Sequence, residues 1–334
     1  MADYKGIRGF TVQYLSADPP APIVGQVWYN STTGTMKGRV TQTAAWSSGA
    51  NLNRPAGAQS NMGSGTVTAA LFIGGKGPPD ADVVNVEEYN GSAWTEIADL
   101  NTARSDGGSA NNGTTTASLV FGTSRDPPVT GKETESWNGT SWTEVADLNT
   151  ATANMAAFGT STAAVAAMGY MPGVPTSPYN KTETWDGTSW TEVNVTPAAA
   201  TGVSGAGIIT AGLAIGGSGP PGYFDTNFEF DGTDWTTGGT LTTARQAGNA
   251  FGTQGAAKFF GGQATPGVVA LTEAYNGTAW TEVDDLASAR MVIMGAGPAG
   301  SAGLTAGGLL SPGYTNVTEE WSDTPAATKT FTAS

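Results

Sequence analysis

A short segment that recurs along the whole chain constrains the fold more than any other feature. One copy is Glu87–Ala98, in which acidic residues and a tyrosine precede Asn90-Gly91 and a tryptophan follows. The tryptophans at this point of the copies are Trp46, Trp94, Trp142, Trp190, Trp235 and Trp280, first 48 and then 45 residues apart. A sequence with such a period is expected to fold as one repeated architecture and not as separate average domains.

Each repeat can be divided into four strands, A to D. Strand A is small and polar, strand B is an apolar run such as Ala69–Gly75 that ends in glycine, strand C carries Glu-x-aromatic, and strand D begins with tryptophan. The Asn-Gly or Asp-Gly pair between C and D predicts a tight type I′ turn, in which both central residues need φ above zero. A period of about 45 to 50 residues is typical of one propeller blade. The sequence therefore predicts an all-β, six-bladed β-propeller of four-stranded antiparallel blades.

The two ends of the chain predict how the ring closes. After Trp321 the sequence has no further tryptophan, so the sixth repeat lacks its own strand D. We expect the N-terminal strand at Trp46 to pair into this C-terminal blade, which would leave no open sheet edge at the seam. The predicted organisation is an extended N-terminal arm at 1–25, a β-hairpin at 26–40, the propeller at 41–323 and a C-terminal tail at 324–334.

Composition excludes several kinds of function. The chain has no His and no Cys, which removes the usual zinc and copper ligands and Cys/His or Ser/His catalysis, so we predict no cofactor and no metal site. It carries 14 Lys and Arg against 28 Asp and Glu, a net charge of −14 that repels phosphate backbones and predicts no nucleic-acid partner. The N-terminus lacks a signal-peptide pattern and no apolar run is long enough to span a membrane. We expect a soluble protein made in a cytoplasm.

Two resemblances follow from these motifs. The pattern of Arg before strand A, Gly-Gly after strand B, Glu-x-aromatic-Asn/Asp-Gly in strand C and Trp opening strand D resembles the kelch repeat over residues 46–322. This implies a kelch-type, galactose-oxidase-like propeller, a fold that serves enzymes, adhesins and adaptors. The hairpin Gly25–Lys37 resembles a segment of tail-fibre and other virion proteins of tailed phages, especially marine cyanophages. That resemblance implies localisation on a virion and other virion proteins as partners of residues 1–40.

Four arginines lie near the starts of A strands and are predicted to share one position in the repeat: Arg54, Arg104, Arg245 and Arg290. The strand-C glutamates of the same repeats are Glu87, Glu135, Glu273 and Glu319. Arginines around the mouth of a central channel could bind the carboxylate of an acidic sugar. Alternatively, each arginine pairs with the glutamate of its own repeat. The repeat with Ala200 has Phe228 in the glutamate position, which favours pairing, whereas the repeat with Thr152 keeps Glu183 and departs from the pattern.

The loops between strands B and C vary where the rest of the repeat does not. They are Lys76–Val84, Ser124–Lys132, Met171–Lys181, Ser218–Asn227, Gln263–Ala270 and Leu310–Asn316. In a propeller these loops share one face, here named the loop face, with the loops between D and A. Their aromatic residues are Tyr170, Tyr179, Tyr223, Phe224 and Tyr314, which with the four arginines form the predicted ligand-binding surface. The alternative is that some of these rings pack under their own loops.

Three Asn-Gly pairs are also glycosylation sequons, at Asn90, Asn138 and Asn276. Asp186 and Asp231 occupy the same position in other repeats and cannot carry an N-linked glycan. This substitution favours a role in the turn.

These observations predict a non-enzymatic structural or adhesion protein of a phage virion, in a tail fibre, a collar or a capsid decoration. Its loop face would bind a host glycan or protein, and no membrane insertion is expected. The alternative is a glycan-active, glycosidase-like propeller, which would need two carboxylates at the channel mouth. The loop face offers only Asp80, Asp82, Asp126 and Asp225 for that role.

Overall fold

The computed structural model describes residues 12–20, 25–40, 44–57, 62–123, 131–172, 178–310, 313–323 and 327–331, and these residues form strands and loops. They belong to two compact units, Met1–Ala45 with Asp323–Ser334, and Trp46–Ser322. Among the described residues, none forms a helix with the length and apolar character needed to cross a membrane.

The strands of the first third of the chain are β1 (Gln13–Leu15), β2 (Val27–Asn30), β3 (Thr35–Val40), β4 (Ala45–Ser48), β5 (Gly63–Thr66), β6 (Ala69–Ile73), β7 (Lys76–Gly77), β8 (Ala81–Asp82), β9 (Val86–Tyr89) and β10 (Trp94–Glu96). Those of the middle are β11 (Gly108–Ser109), β12 (Ser118–Phe121), β13 (Thr134–Trp137), β14 (Trp142–Glu144), β15 (Ala156–Thr160), β16 (Ala163–Ala167), β17 (Thr182–Trp185), β18 (Trp190–Val193), β19 (Ser204–Ile208), β20 (Ala211–Ile215), β21 (Ser218–Gly219), β22 (Gly222–Tyr223), β23 (Asn227–Phe230) and β24 (Trp235–Thr237). The remainder are β25 (Asn249–Thr253), β26 (Ala256–Phe260), β27 (Thr272–Tyr275), β28 (Trp280–Val283), β29 (Met294–Ala299), β30 (Ala302–Ala306), β31 (Leu309–Leu310), β32 (Gly313–Tyr314), β33 (Thr318–Ser322) and β34 (Ala327–Phe331).

The smaller unit is a four-stranded sheet in the order β1-β2-β3-β34. The hairpin β2–β3 lies at its centre, β1 runs parallel to β2, and β34, from the segment predicted as a tail, pairs antiparallel with β3. The buried Trp28 donates its indole N–H to the Asp18 carboxylate at 2.9 Å, and Lys37 Nζ lies 2.6 Å from the same carboxylate. Hydrogen bonds from Lys37, Asn30 and Trp28, in that order, lower the pKa of Asp18 to about 2. This carboxylate therefore links β2 and β3 to the segment that follows β1.

In the described residues of the larger unit, six four-stranded antiparallel sheets follow the repeats. Sheets 1 to 6 are β5-β6-β9-β10, β11-β12-β13-β14, β15-β16-β17-β18, β19-β20-β23-β24, β25-β26-β27-β28 and β29-β30-β33-β4. The fourth strand of sheet 6 is β4, which contains Trp46, and it lies beside β33. The all-β architecture and its antiparallel four-stranded sheets agree with a propeller-like fold.

Strand A of each sheet packs against strand A of the next. The pairs in contact are β11 with β15, β15 with β19, β19 with β25, β25 with β29, and β29 with β5. Between sheets 1 and 2, Ser109 Oγ donates to the Gly63 carbonyl at 2.7 Å. Small residues make this packing possible, because a Cβ at Gly205 would lie 2.5 Å from the Ala157 carbonyl oxygen.

Tryptophans at the start of D strands stabilise each sheet and tie it to its neighbour. Each ring packs on the aromatic residue that ends strand C, as Trp94 does on Tyr89 with ring centroids 4.9 Å apart. In four of the sheets the indole N–H also donates to a threonine of the adjacent sheet: Trp94 to Thr318, Trp190 to Thr134, Trp235 to Thr182 and Trp46 to Thr272, at 2.9 to 3.1 Å. The bond from Trp94 to Thr318 joins sheet 1 to sheet 6.

The C-to-D turns differ from the predicted type I′ geometry. Tyr89 pairs with Trp94, so the loop contains four residues, and of its first two only Gly91 has positive φ, at 88°. The Asn90 side-chain oxygen instead accepts the backbone N–H groups of Ser92 and Ala93, each at 2.9 Å. Asp186 makes the equivalent bonds at 2.8 Å. A carboxylate or an amide oxygen thus makes the same hydrogen bonds in these turns, which confirms the turn interpretation of the sequons.

Candidate functional site

On the loop face, short β-bridges join the segment before strand A to the segment after strand B of the same sheet. These bridges are Gly57 with Lys76, Ala153 with Tyr170, Thr201 with Ser218, Gln246 with Gln263, and Met291 with Leu309. The D-to-A and B-to-C loops therefore lie on the same side of their sheets, as expected.

The arginines pair with the strand-C glutamates of their own repeats, so the pairing prediction is confirmed. Arg104 Nη2 lies 2.6 Å from Glu135 Oε1. Arg290 Nη2 lies 2.8 Å from Glu319 Oε1, and Arg245 bonds Glu273.

These three pairs are buried, since the relative exposure of the side chains is at most 3%. Burial lowers the pKa of Arg245 and of Arg290, while the paired glutamates act in the opposite direction. The prediction that Arg104, Arg245 and Arg290 ring an open channel mouth is therefore corrected, because their guanidinium groups lie inside the sheets. These arginines stabilise the fold and do not form part of the accessible surface.

A second set of donors completes these sites, and sequence reasoning missed it. The backbone N–H and side-chain amide of Asn101 both donate to Glu135 Oε2, at 2.8 and 2.9 Å. Asn53 and Asn149 do the same to the glutamates of sheets 1 and 3. The signal was present, because these asparagines lie 48 residues apart, each directly after a leucine.

Arg54 reaches its glutamate from a different backbone position. The N–H of Ala56, and not of Arg54, makes the bond to Thr315 that corresponds to the bond from Arg104 to Val83. Arg54 therefore lies two residues before the position of the other arginines, a correction to the predicted common offset. Its Nε lies 3.9 Å from Glu87, and its side chain remains 23% exposed.

In the repeat that departs from the arginine pattern, Tyr179 takes the place of the arginine side chain. Its hydroxyl bonds Thr152, the residue at the arginine position. Burial, with smaller contributions from Glu183 and Glu192, raises the pKa of Tyr179. Tyr179 is thus half-buried with its hydroxyl held by Thr152, in agreement with the alternative that some loop aromatics pack under their own loops.

The remaining predicted aromatic residues divide in the same way. Phe224 packs against a buried cluster that includes Phe228. Phe228 occupies the position at which other repeats have glutamate. Tyr170 and Tyr223 are half-buried on the segments that follow strand B. Tyr314 is half-buried as well.

Tyr314 lines a cavity of about 410 Å³ between the B-to-C hairpins of sheets 6 and 1. The cavity walls are Pro78, Pro79, Asp80, Leu309, Gly313 and Tyr314. The Tyr314 hydroxyl donates to Asp80 Oδ1 at 2.5 Å, and Lys76 Nζ lies 3.8 Å from the same oxygen. Burial and the bond to Asp80 raise the pKa of Tyr314. The site combines apolar walls with one carboxylate, which is typical of small-ligand pockets.

The carboxylates considered for glycosidase chemistry do not gather at this cavity. Asp80 and Asp82 lie on one hairpin of sheet 1, and Asp225 is an exposed residue of sheet 4. Asp126 and the loop 124–130 lie outside the described residues. Within the described part of the chain, no group of three or more Asp or Glu side chains could hold a metal ion.

Comparison with known proteins identifies the fold and no activity. No protein-family model matches the sequence, and no curated protein matches it. The solved structure of YjhT is similar, with a TM-score of 0.67 over 84% of this chain and 99% of that chain, at 14% sequence identity. Similarity at this identity concerns the fold alone. In all, 225 solved chains match the structure. A shared architecture by itself indicates no single function.

Proposed function

We propose that this protein is a non-enzymatic binding protein whose loop face recognises a glycan or a protein on another surface. The observation that carries this proposal is the cavity at Tyr314. Two separate hairpins form it, Pro78 and Pro79 stiffen one wall, and an aromatic ring faces the space beside a carboxylate. Aromatic faces stack on sugar rings and grip protein side chains, while a carboxylate accepts hydroxyl or amide donors.

The scaffold proposed for this face is a closed, six-bladed propeller of kelch type. Three observations support it: the six sheets, the contact of β29 with β5, and the position of β4 beside β33. The hydrogen bond from Trp94 to Thr318 supports closure at the same seam. The repeated Arg–Glu pairs support the kelch resemblance.

The proposed location is a virion of a tailed phage, where the small unit attaches the protein to the particle. The resemblance of the hairpin Gly25–Lys37 to virion proteins is the support for this location. The hairpin belongs to a compact unit separate from Trp46–Ser322, so attachment would not have to use the loop face.

Binding is tested with purified protein on a glycan array and on host cells. We expect Tyr314→Ala to weaken binding about tenfold or more, equivalent to about 1.4 kcal/mol. Tyr14→Ala, which removes an exposed ring from the small unit, is the matched control and should leave binding unchanged. Binding of wild type to none of the surfaces, or equal binding by Tyr314→Ala, would overturn the proposal.

Attachment is tested separately by deleting residues 1–25. We expect the larger unit of the truncated protein to keep a cooperative unfolding transition, and the truncated protein to be missing from purified particles. A truncated protein that still joins particles at the wild-type copy number would refute attachment through the arm.

A further inference from the structure

A second cavity, of about 190 Å³, lies on the loop face where sheets 3 to 6 meet, and we name it the axial pocket. Its lining residues are Asn154, Thr201, Gly202, Gln246, Ala247, Gln263, Met291 and Val292. Most of them directly precede strands β15, β19, β25 and β29. The pocket therefore belongs to the packed A strands and not to the variable hairpins.

Backbone hydrogen bonds form a chain around the pocket from sheet to sheet. The N–H of Val292 donates to Ala247, that of Ala247 to Gly202, that of Gly202 to Asn154 and that of Asn154 to Asp106, at 2.7 to 2.9 Å. Since these amide and carbonyl groups already bond one another, recognition of a ligand falls to the side chains.

The same positions have positive φ in every sheet where they are described. The angle is 51° at Val292, 53° at Ala247, 64° at Gly202, 51° at Asn154 and 59° at Asp106. For a β-branched valine this conformation is an outlier, and such strain is concentrated at functional sites. The residues packed around these five positions therefore hold the backbone at the edge of the pocket in a conformation of higher local energy.

The side chains that line the axial pocket are uncharged. Gln246 Nε2 donates to Gln263 Oε1 at 3.2 Å, and Gln246 Oε1 accepts from Ser218 Oγ at 2.5 Å, so the orientation of this amide is set. Met291 and Val292 supply apolar contact. The Thr201 hydroxyl oxygen is buried, and within the described residues it has no hydrogen-bond partner. A ligand that reaches this hydroxyl through rotation of the Thr201 side chain would supply the missing donor or acceptor.

Charge and size define the class of ligand. A carboxylate placed here would lose water without gaining a cation, because no arginine or lysine lines the pocket and Arg245 and Arg290 are already paired. The larger unit has nine Lys and Arg against 25 Asp and Glu, a net charge of −16 that also disfavours anions. The volume corresponds to roughly six water molecules, close to that of one sugar ring. We infer that the axial pocket binds a single neutral sugar residue. This inference rests on the proposed role of the loop face in binding.

The test uses the full chain with free glucose, galactose, mannose and N-acetylglucosamine as neutral probes and glucuronate and N-acetylneuraminate as acidic ones. Saturation-transfer NMR and calorimetry are expected to detect at least one neutral sugar and to find the acidic sugars at least tenfold weaker. Thr201→Val should weaken the neutral sugar about tenfold, and Gln246→Glu should weaken it at least as much. The matched control is Thr191→Val, an exposed threonine of β18, which should change nothing.

Thermal unfolding of each variant establishes that loss of binding is not loss of folding. The inference is overturned if no neutral sugar binds, if acidic sugars bind as tightly, or if both pocket variants, once shown to fold, retain wild-type affinity. Its failure is distinguishable from failure of the proposed function. A protein that binds cells through Tyr314 but no sugar in the axial pocket would retain the first proposal and lose the second.

Discussion

The buried pair of Arg104 and Glu135 permits a sharp test of how these repeats are stabilised. Glu135→Gln keeps the shape of the side chain and removes its charge, which leaves the Arg104 guanidinium buried without its counter-ion. Removing one partner of a buried pair costs about 3 to 5 kcal/mol, because the remaining charge is neither hydrated nor compensated. Both side chains are at most 1% exposed and their atoms are 2.6 Å apart, so we expect the loss to fall within this range.

An exposed pair in the same protein provides the control. Lys181 Nζ lies 2.8 Å from Glu192, but these side chains are 36% and 47% exposed. Water screens such a pair, so Glu192→Gln is expected to cost only about 0 to 1 kcal/mol. The two variants make the same chemical change at similar distances and differ mainly in burial.

The chain also contains a natural replacement for the pair. Sheet 4 has Ala200 and Phe228 at the two positions, and Phe228 is buried. The double variant Arg104→Ala with Glu135→Phe copies this arrangement and removes both charges. We expect it to be more stable than Glu135→Gln, because no buried charge remains. Its loss relative to wild type should come chiefly from the Asn101 donors, which lose Glu135 as their acceptor.

Urea unfolding followed by tryptophan fluorescence measures all three free energies. The reasoning is refuted if Glu135→Gln differs from wild type by no more than Glu192→Gln does. It is equally refuted if the double variant is less stable than Glu135→Gln, because the cost would then arise from packing and not from an uncompensated charge.

Three further predictions concern other parts of the molecule. Asp18, with its pKa lowered to about 2, stabilises the small sheet above about pH 4, and we expect this stabilisation to disappear between about pH 4 and 2. Trp28 fluorescence measures the loss of stability. Asp18→Asn should abolish its pH dependence. Burial and a bond to a glutamate raise the pKa of Tyr89 to about 12. The stability that Tyr89 contributes to the fold is therefore complete below about pH 10 and is lost as the pH rises toward 12. A tyrosine absorbance titration should show one fewer late-titrating group in Tyr89→Phe. Trp46→Ala removes edge contacts with Trp321 at 5.5 Å and should cost about 3 kcal/mol of the larger unit's unfolding free energy; a loss below about 1 kcal/mol would contradict a role for β4 in holding sheet 6.

The repeat allowed much of the architecture to be predicted. Tryptophans at a constant interval, apolar runs that end in glycine and acid-aromatic-turn segments predicted the strands of each sheet, because these signals are local. The Arg–Glu pairing was also predictable, because Ala200 and Phe228 change together within one sequence. The C-to-D turn was predicted with the wrong geometry, since the dipeptide does not reveal that the Asn90 side chain closes a four-residue loop.

Sequence alone determined which residues repeat, and therefore the strand pattern and the partners of the buried arginines. The tertiary structure decided which side chains remain accessible. It buried Arg104, Arg245 and Arg290, brought the Tyr179 hydroxyl to Thr152, and brought Tyr314 to Asp80 across 234 residues of sequence. Such contacts depend on how separate sheets pack, and no local pattern encodes that packing. The axial pocket has the same origin, because its lining comes from several sheets and its rim depends on backbone bonds that pass from one sheet to the next.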